Sequence, residues 1–292
     1  MLLDGRFVAN TITNQLKQRI NVLKIQNVNI ALGVILVGSK IESQTYVNMK
    51  QKKCESLGIN CVIKKFDDDV TQQIIETQIQ SFNNDKSING ILVQLPLPQH
   101  INTNALLRQI NIEKDVDGFN PVNAGSLSQN NHPLFYPCTP RGCIELLDHY
   151  KIDIKGKNAT IIGCSNLVGL PLSLMLLHRD ATVTICHKET KNLQQKVKDA
   201  DLIFACCGSP GLVKKNWVKK GATVVDVGIN KIEDNSEKGY KLVGDVDYDN
   251  VKSVAANITP VPGGIGPMTI AILMKQIVEA REHQRNCSDV AA

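Results

Sequence analysis

The sequence predicts an α/β protein of two domains, in each of which parallel strands alternate with helices. Two observations support this prediction. Short apolar runs, bounded by Gly, Pro or polar residues, recur along the chain and are separated by segments of helical periodicity. This alternation is interrupted over residues 111–137 and then resumes, and 292 residues are more than one small core requires.

The first half of the chain contains three alternations. Gly58 is expected to end the second helix, and Pro96 and Pro98 to close the third strand. Strands joined by helices pair in parallel through right-handed crossovers. The predicted helices are 6–26, 41–57 and 71–82, and the predicted strands are 30–37, 61–66 and 90–95.

The second half begins after a long loop, predicted over 111–137 from its many Asn, Pro and Gly residues. Thr139 as N-cap and Pro140 at the first helical position predict a helix over 139–150, which we expect to bridge the domains. Further predicted strands are 159–162, 182–186, 202–206, 223–227 and a short one at 253–256, and further helices are 169–179, 192–200 and 267–283, the last followed by a polar tail.

Composition excludes several classes of protein. Hydrophobic residues at 42% and charged residues at 21% are typical of a globular chain. The net charge of +5 is dispersed, so it suits an anionic small molecule and not nucleic acid. No apolar run is long enough to span a membrane, and the polar start lacks a signal-peptide core, so a cytoplasmic protein without a membrane partner is expected.

Nine cysteines show no framework and no zinc-ligand spacing. Several lie in apolar runs, where a thiol behaves as a small hydrophobic group: Cys186, Cys206 and Cys207. We therefore expect reduced core thiols and no metal site.

A candidate dinucleotide site follows the strand 159–162, where Gly163 to Pro171 leads into a helix. Small residues allow close backbone approach, and the helix N-terminus favours a pyrophosphate. Ser165 occupies the second glycine position of the usual G-x-G-x-x-G pattern, so an ordinary strand–turn–helix connection is the other interpretation. Residues 207–211 and 226–230 place further small residues at strand ends, which strengthens the ligand-binding interpretation.

Tyr46 and Lys50 are four residues apart on a predicted helix and so share one face. An aromatic ring can stack on a flat ligand, while a lysine in a low-dielectric pocket loses its proton more easily and can serve acid–base chemistry. An ordinary amphipathic helix with a solvated lysine is the alternative. Gln94 at a strand end and Asp117 in the long loop are candidates for hydrogen bonds to a ligand, or else a strand stop and a turn residue.

Together these segments resemble the methylenetetrahydrofolate dehydrogenase/methenyltetrahydrofolate cyclohydrolase family, bifunctional one-carbon folate enzymes, in its bacterial type. The matching stretches follow one another in family order across nearly the whole chain: SQTYVNMK (43–50), GILVQLPLP (90–98), KDVDGF (114–119), TPRGCIELL (139–147), GCSNLVGLP (163–171), CHKETKNL (186–193), DVGIN (226–230) and PVPGGIGPMT (260–269).

The resemblance implies that the protein oxidises 5,10-methylenetetrahydrofolate with NADP and hydrolyses the methenyl product to 10-formyltetrahydrofolate. Lys50 would serve the hydrolysis, hydrogen-bonded to Gln94, while Tyr46 would stack on the folate and Asp117 would hold the pterin edge. The other implied substrate-binding residues are Val93, Leu95, Pro262, Gly263 and Gly264. The implied cofactor-binding residues are Gly163, Cys164, Ser165, Val168, Lys188, Gly208 and Ile229.

Many family members have Arg at the position of Cys164 and Ser at that of Lys188, and both groups approach the cofactor's 2′-phosphate. Bacterial-type members with a small residue at the first position and a basic one at the second are more similar to this chain. NADP is therefore favoured over NAD, with Lys188 supplying the positive charge, although a solvated loop lysine is the alternative.

The resemblance also implies a folate-binding domain (1–138 with the C-terminal helix 267–285), a Rossmann-like NADP-binding domain (139–266) and a homodimer formed through the second domain. A dehydrogenase-only member of the fold and a non-catalytic dinucleotide-binding protein are the two other interpretations.

Overall fold

A computed structural model describes residues 1–235 and 239–290, with side chains described as far as residue 287. The chain forms two compact units. The 11–138 unit comprises Thr11–Cys138 and the chain from Ile270 onwards. The 139–269 unit comprises Thr139–Thr269 and Met1–Asn10.

The 11–138 unit contains a parallel three-stranded sheet in the order β2-β1-β3. Its strands are β1 (Ala31–Val37), β2 (Asn60–Phe66) and β3 (Gly90–Val93). The helices of this part of the chain are α1 (Gly5–Ile25), α2 (Ile41–Leu57), α3 (Gln72–Asn84), α4 (Thr103–Gln109) and α5 (Pro121–Ser128), with a 3-10 helix at Ile112–Lys114.

The core of this unit surrounds the central strand β1. Every residue of β1 is buried, which explains its almost continuous apolar sequence, since a central parallel strand is covered on both faces. Ile75, Ile79 and Phe82 follow one face of α3 and pack in the same hydrophobic cluster as Ile35 and Ile91. This packing holds the carboxyl ends of β1 and β3 side by side.

The 139–269 unit contains a parallel five-stranded sheet in the order β5-β4-β6-β7-β10 and a separate antiparallel pair, β8-β9. Its strands are β4 (Asn158–Ile162), β5 (Thr182–Cys186), β6 (Leu202–Ala205), β7 (Thr223–Asp226), β8 (Asn230–Glu233), β9 (Tyr240–Val243) and β10 (Asn257–Ile258). The helices of this part of the chain are α6 (Cys138–His149), α7 (Gly169–Leu177), α8 (Leu193–Lys198) and α9 (Tyr248–Val251), with a 3-10 helix at Lys215–Trp217. The last helix, α10 (Ile265–Val290), begins in this unit, and its residues from Ile270 onwards belong to the 11–138 unit.

The order of the large sheet locates its ligand-binding edge. Numbered along the chain, its five parallel strands occupy positions 2-1-3-4-5, so the connections leave the β4–β6 pair towards opposite edges of the sheet. In doubly wound sheets of this kind, ligands bind outside the carboxyl ends of the strands at this switch point. The predicted Rossmann-like architecture is therefore confirmed, with five parallel strands.

The prediction of one long loop over 111–137 is wrong, because the segment contains the 3-10 helix and α5. Asn120 caps α5 by accepting a hydrogen bond from Val122 N at 2.9 Å, and Pro121 begins the helix. Asn120-Pro121 is a helix-start signal similar to the Thr139-Pro140 pair that predicted α6. The helix was missed because its eight residues are too few to show a helical hydrophobic periodicity.

Other differences concern the ends of elements. The helix α6 begins at Cys138, so Thr139 lies inside it, with Oγ1 3.0 Å from Thr269 Oγ1, and does not act as the predicted cap. The short strand expected at 253–256 lies at Asn257–Ile258, and α10 continues through the predicted polar tail to Val290. The pair β8-β9 and the helix α4 were not predicted. Among the described residues, no helix has both the length and the hydropathy needed to cross a membrane.

Candidate functional site

Lys50 lies on α2 and is buried against the end of β3. Its Nζ donates a hydrogen bond to Gln94 Oε1 at 2.9 Å, and 9% of Lys50 is exposed. Both the backbone and the side chain of Gln94 are held by hydrogen bonds: its backbone N donates to Ile35 O at 2.9 Å, and its Nε2 donates to Leu95 O at 2.8 Å. The glutamine oxygen is thereby directed at the lysine, as the resemblance implied.

Burial sets the charge state of this lysine. It lowers the pKa of the Lys50 ammonium, while the Asp117 carboxylate opposes that shift. Burial raises the pKa of Asp117, with Lys50 acting in the opposite direction. The lysine and the aspartate therefore belong to one electrostatic site, in which a neutral lysine is easier to reach than in water.

The loop that carries Asp117 is held by a carboxylate two residues earlier. Asp115, 1% exposed, accepts hydrogen bonds from Phe119 N at 3.1 Å, Asn120 N at 2.8 Å and Asn123 Nδ2 at 2.8 Å. Burial raises the pKa of Asp115 to about 7, although these three donors oppose the shift. Asp115 lies in the stretch KDVDGF (114–119), but the sequence predicts no role for it.

A second residue that the sequence did not predict, Gln276 on α10, holds the chain next to Asp117. Gln276 is fully buried, and its Nε2 donates to Val116 O at 2.7 Å and to Tyr136 O at 3.0 Å. Its Oε1 accepts from Tyr136 N at 3.1 Å. The sequence signal for this role is a glutamine among the apolar residues of a helix. A polar side chain buried there needs hydrogen-bond partners.

The other predicted folate contacts differ in exposure. Tyr46 lies one turn before Lys50 on α2 and is half-buried, and burial raises the pKa of its hydroxyl. The side chain of Val93 packs in the core of the 11–138 unit, and Leu95 packs partly against the same cluster. Pro262, Gly263 and Gly264 lie in the 139–269 unit just before α10, where Gly263 O accepts from Arg6 N at 3.0 Å.

The candidate cofactor loop leaves the sheet at its switch point. Gly163 follows β4 with φ +128°, and a Cβ there would collide with the backbone of Cys206, so only glycine fits. Ser165 shapes the turn into α7, since its Oγ accepts from Val168 N at 3.2 Å. Cys164 and Ser165 are exposed, which leaves backbone and short side chains available for a phosphate-bearing ligand.

The remaining predicted cofactor residues lie at the same carboxyl edge of the sheet. Gly208 follows β6, and Ile229, 42% exposed, follows β7. Lys188 follows β5, and its side chain is 91% exposed, with Nζ 3.9 Å from Glu189 Oε1. Lys188 is therefore on the expected edge with a freely hydrated charge, a position that fits both interpretations of its role.

The cysteines only partly follow the core-thiol expectation. None of the nine cysteines, which all lie among the described residues, forms a disulfide, and Cys186 is buried. Cys206 is half-buried, and Cys207 is exposed, so the expectation is wrong for Cys207. In the described part of the chain, the ligand atoms of Glu113, His283 and Cys287 lie within 4.8 Å of one another, close enough to share an ion. The absence of a metal stays a prediction.

The strand order and strand-end loops of the 139–269 unit are those of a doubly wound α/β protein with a ligand site at its switch point, a class that includes dinucleotide-dependent enzymes. Comparison of the sequence with models of known families identifies the family within that class. Residues 3–117 match the family model for the tetrahydrofolate dehydrogenase/cyclohydrolase catalytic domain, and residues 137–285 match its NAD(P)-binding domain. The chain belongs to the tetrahydrofolate dehydrogenase/cyclohydrolase family, which confirms the resemblance found in the sequence.

Similar proteins span the whole chain. The bifunctional protein FolD of Thermodesulfovibrio yellowstonii is 46% identical over 97% of this chain and 97% of its own. The crystal structure of the FolD methylenetetrahydrofolate dehydrogenase/cyclohydrolase from Campylobacter jejuni is 45% identical, with a TM-score of 0.93 over 97% of this chain and 99% of its own. The Trypanosoma brucei enzyme, complexed with NADP cofactor and inhibitor, is 36% identical, with a TM-score of 0.94 over 97% and 98%.

Proposed function

We propose that this protein oxidises 5,10-methylenetetrahydrofolate to 5,10-methenyltetrahydrofolate with NADP and then hydrolyses the product to 10-formyltetrahydrofolate. The observation that carries the proposal is the buried Lys50–Gln94 hydrogen bond, in a chain that matches both domains of the family. A buried lysine held by one neutral acceptor suits proton transfer better than simple charge pairing.

The first step is hydride transfer. NADP, when bound, would supply the hydride acceptor for the methylene carbon, so the protein contributes position more than chemistry. Gly163, Cys164, Ser165 and Val168 would hold the dinucleotide at the end of β4, with Gly208 and Ile229 at the ends of the neighbouring strands. Lys188 would supply the charge for the 2′-phosphate.

The second step is hydrolysis of the methenyl cation. Water attacks the methenyl carbon and gives one proton to neutral Lys50, which forms a carbinol. The carbinol hydroxyl then loses its proton as the ring bond from that carbon to N5 breaks, so the formyl C=O forms and N5 takes up a proton. The net reaction consumes one water and releases one proton. A cationic substrate beside Lys50 disfavours a second positive charge and adds to the effect of burial on the lysine pKa.

Three further side chains would position the folate. Tyr46 would stack on the pterin, Asp117 would accept hydrogen bonds from its amino edge, and Gln94 would keep Lys50 Nζ directed at the reacting carbon. Val93 and Leu95 would border the ring, Val93 through its backbone because its side chain is in the core. The roles of Pro262, Gly263 and Gly264 stay predictions.

A spectrophotometric assay with both dinucleotides tests the proposal. We expect methylenetetrahydrofolate to drive formation of reduced nicotinamide with NADP at a higher kcat/KM than with NAD. Supplied methenyltetrahydrofolate should lose its absorbance in an enzyme-dependent way without dinucleotide. Dinucleotide binding without turnover would reject the proposal in favour of a non-catalytic protein, and oxidation without hydrolysis would identify a dehydrogenase-only member.

We also propose a homodimer, which the resemblance implies, and a cytoplasmic location, as expected in the sequence analysis. Light scattering on the purified full chain tests the first, and a mass of one chain at micromolar concentration would contradict it. Fractionation of the source cells tests the second.

A further inference from the structure

The loops after β6 and β7 converge on one carboxylate that the proposed mechanism does not use. Asp245 is fully buried, between β9 and α9. Its Oδ2 accepts from Cys207 N at 2.7 Å and Gly208 N at 3.0 Å. Its Oδ1 accepts from Ser209 N at 2.8 Å and Asn230 Nδ2 at 2.8 Å.

Three consecutive backbone N–H groups directed at one point need an acceptor-only partner. A carboxylate offers two oxygens with about four lone-pair sites, and all four donors are matched here. An amide of the same shape keeps one such oxygen and presents an NH2 group in place of the other. The geometry therefore selects aspartate over asparagine at residue 245.

The surroundings of Asp245 are adapted to this contact. A Cβ on Gly228 would overlap the Asp245 carboxyl group, so glycine at 228 is what admits the carboxylate. Behind it, Asp226 at the end of β7 accepts from Asp245 N at 2.9 Å, Val246 N at 2.9 Å and Gly228 N at 3.0 Å. The two strand ends are thus tied to one another through residues 226 and 245.

We propose that Asp245 is a positioning residue for dinucleotide binding, which holds the 207–209 turn and the 228–230 turn in their binding shape. The inference rests on the proposed function, because it takes Gly208 and Ile229 as cofactor contacts. Asp245 acts through the backbone of those turns and not on the reacting atoms.

The test is Asp245→Asn, with Asp247→Asn as the matched control. Asp247 lies two residues along the same segment, and its carboxylate accepts instead from Asn250 Nδ2 at 3.0 Å. For Asp245→Asn we expect the KM for NADP to rise roughly ten- to hundredfold, the effect of losing one charge-assisted hydrogen bond. The KM for the folate and the hydrolysis of supplied methenyltetrahydrofolate should stay within about twofold of wild type, as should all parameters of Asp247→Asn.

Gly228→Ala is an independent variant, because it displaces the carboxylate without changing residue 245, and the same selective rise is expected. An unchanged KM for NADP in a folded Asp245→Asn protein would overturn the proposal. Equal loss of both activities would also overturn it, since it would indicate a general structural role. If Asp245→Asn does not fold, Gly228→Ala decides by the same criteria. Calorimetric titration with NADP keeps the test separate from the proposed function, because it measures binding even if wild type does not turn over.

Discussion

Replacing Lys50 with Met separates hydrolysis from hydride transfer. Methionine has a similar length and fits a buried position, but it can neither hold nor move a proton. A positioned general base contributes about 10²- to 10⁴-fold to a rate, so cyclohydrolase kcat should fall by at least roughly 100-fold. Hydride transfer needs no proton from this lysine, so dehydrogenase activity should persist, reduced only by changes in how the folate sits.

The structure indicates that this variant will fold. Lys50→Met leaves Gln94 Oε1 without the donor now at 2.9 Å, and an unsatisfied buried acceptor costs about 1–3 kcal/mol. Removal of a buried ammonium offsets part of this cost, because burial already disfavours its charged form. The sum is small against a typical stability of about 5–15 kcal/mol.

The assay follows both reactions on the same preparation. Hydrolysis is measured by the loss of supplied methenyltetrahydrofolate without dinucleotide, and oxidation by the appearance of reduced nicotinamide. Lys52→Met is the matched control, since Lys52 lies on the same helix but is exposed. Hydrolysis at the wild-type rate in Lys50→Met would refute the assigned role. Equal loss of both activities would instead make Lys50 a residue for folate binding.

Three further predictions concern charge and hydrogen bonding. Measurements of cyclohydrolase kcat across pH should show the wild-type rate rising with pH until Lys50 is neutral. Gln94→Ala should lower this kcat by about tenfold and shift the pH profile, because Lys50 loses its hydrogen-bond acceptor. Lys188→Ala should lower the ratio of kcat/KM for NADP to that for NAD by about tenfold, because one charge on the 2′-phosphate is lost. Burial raises the pKa of Asp115 to about 7, so the folded protein keeps a proton on this group that the unfolded protein releases near pH 4. The contribution of Asp115 to the free energy of unfolding should therefore fall as pH rises from about 4 to 7, by at most about 1.4 kcal/mol per pH unit. Urea unfolding across this pH range measures the change.

Each of these has an outcome that contradicts it. A Gln94→Ala profile that overlays wild type would remove the glutamine from proton transfer. An unchanged cofactor ratio would leave Lys188 as a solvated loop residue, in keeping with its 91% exposure. For Asp115, the control is Asp115→Asn, whose stability should vary less with pH than that of wild type over the same range; equal slopes would place the titrating group elsewhere.

The sequence could predict what depends on local periodicity and on strand ends. Spacing alone placed Tyr46 and Lys50 on one helical face, and α2 spans both residues. The apolar run of β3 ended one residue before Gln94, which placed the glutamine at the carboxyl edge of a sheet. Neither pattern could show that the side chains meet, because 44 positions separate them and only the packed sheet brings α2 to β3.

The missed features are those that tertiary contacts create. Gln276 lies within an apolar helix pattern and differs from a surface glutamine only through the backbone groups of residues 116 and 136 that it satisfies. The β8-β9 pair was missed because its strands have four residues each and β8 contains a single apolar side chain, too few to show an alternation in the sequence.

A common device underlies the two loops proposed to contact ligands. Asp115 closes the turn that carries Asp117, and Asp245 closes the turn that carries Gly208. Each aspartate is almost wholly buried and accepts hydrogen bonds from several N–H groups. A loop that must leave its outer face open to a ligand cannot satisfy its inward N–H groups with a neighbouring strand, and water is excluded on that side. A buried carboxylate solves this problem at the cost of its own desolvation, which is why burial raises the pKa of Asp115 despite three donors. Aspartates that no reaction step requires can therefore decide whether the residues proposed to contact ligands are in place.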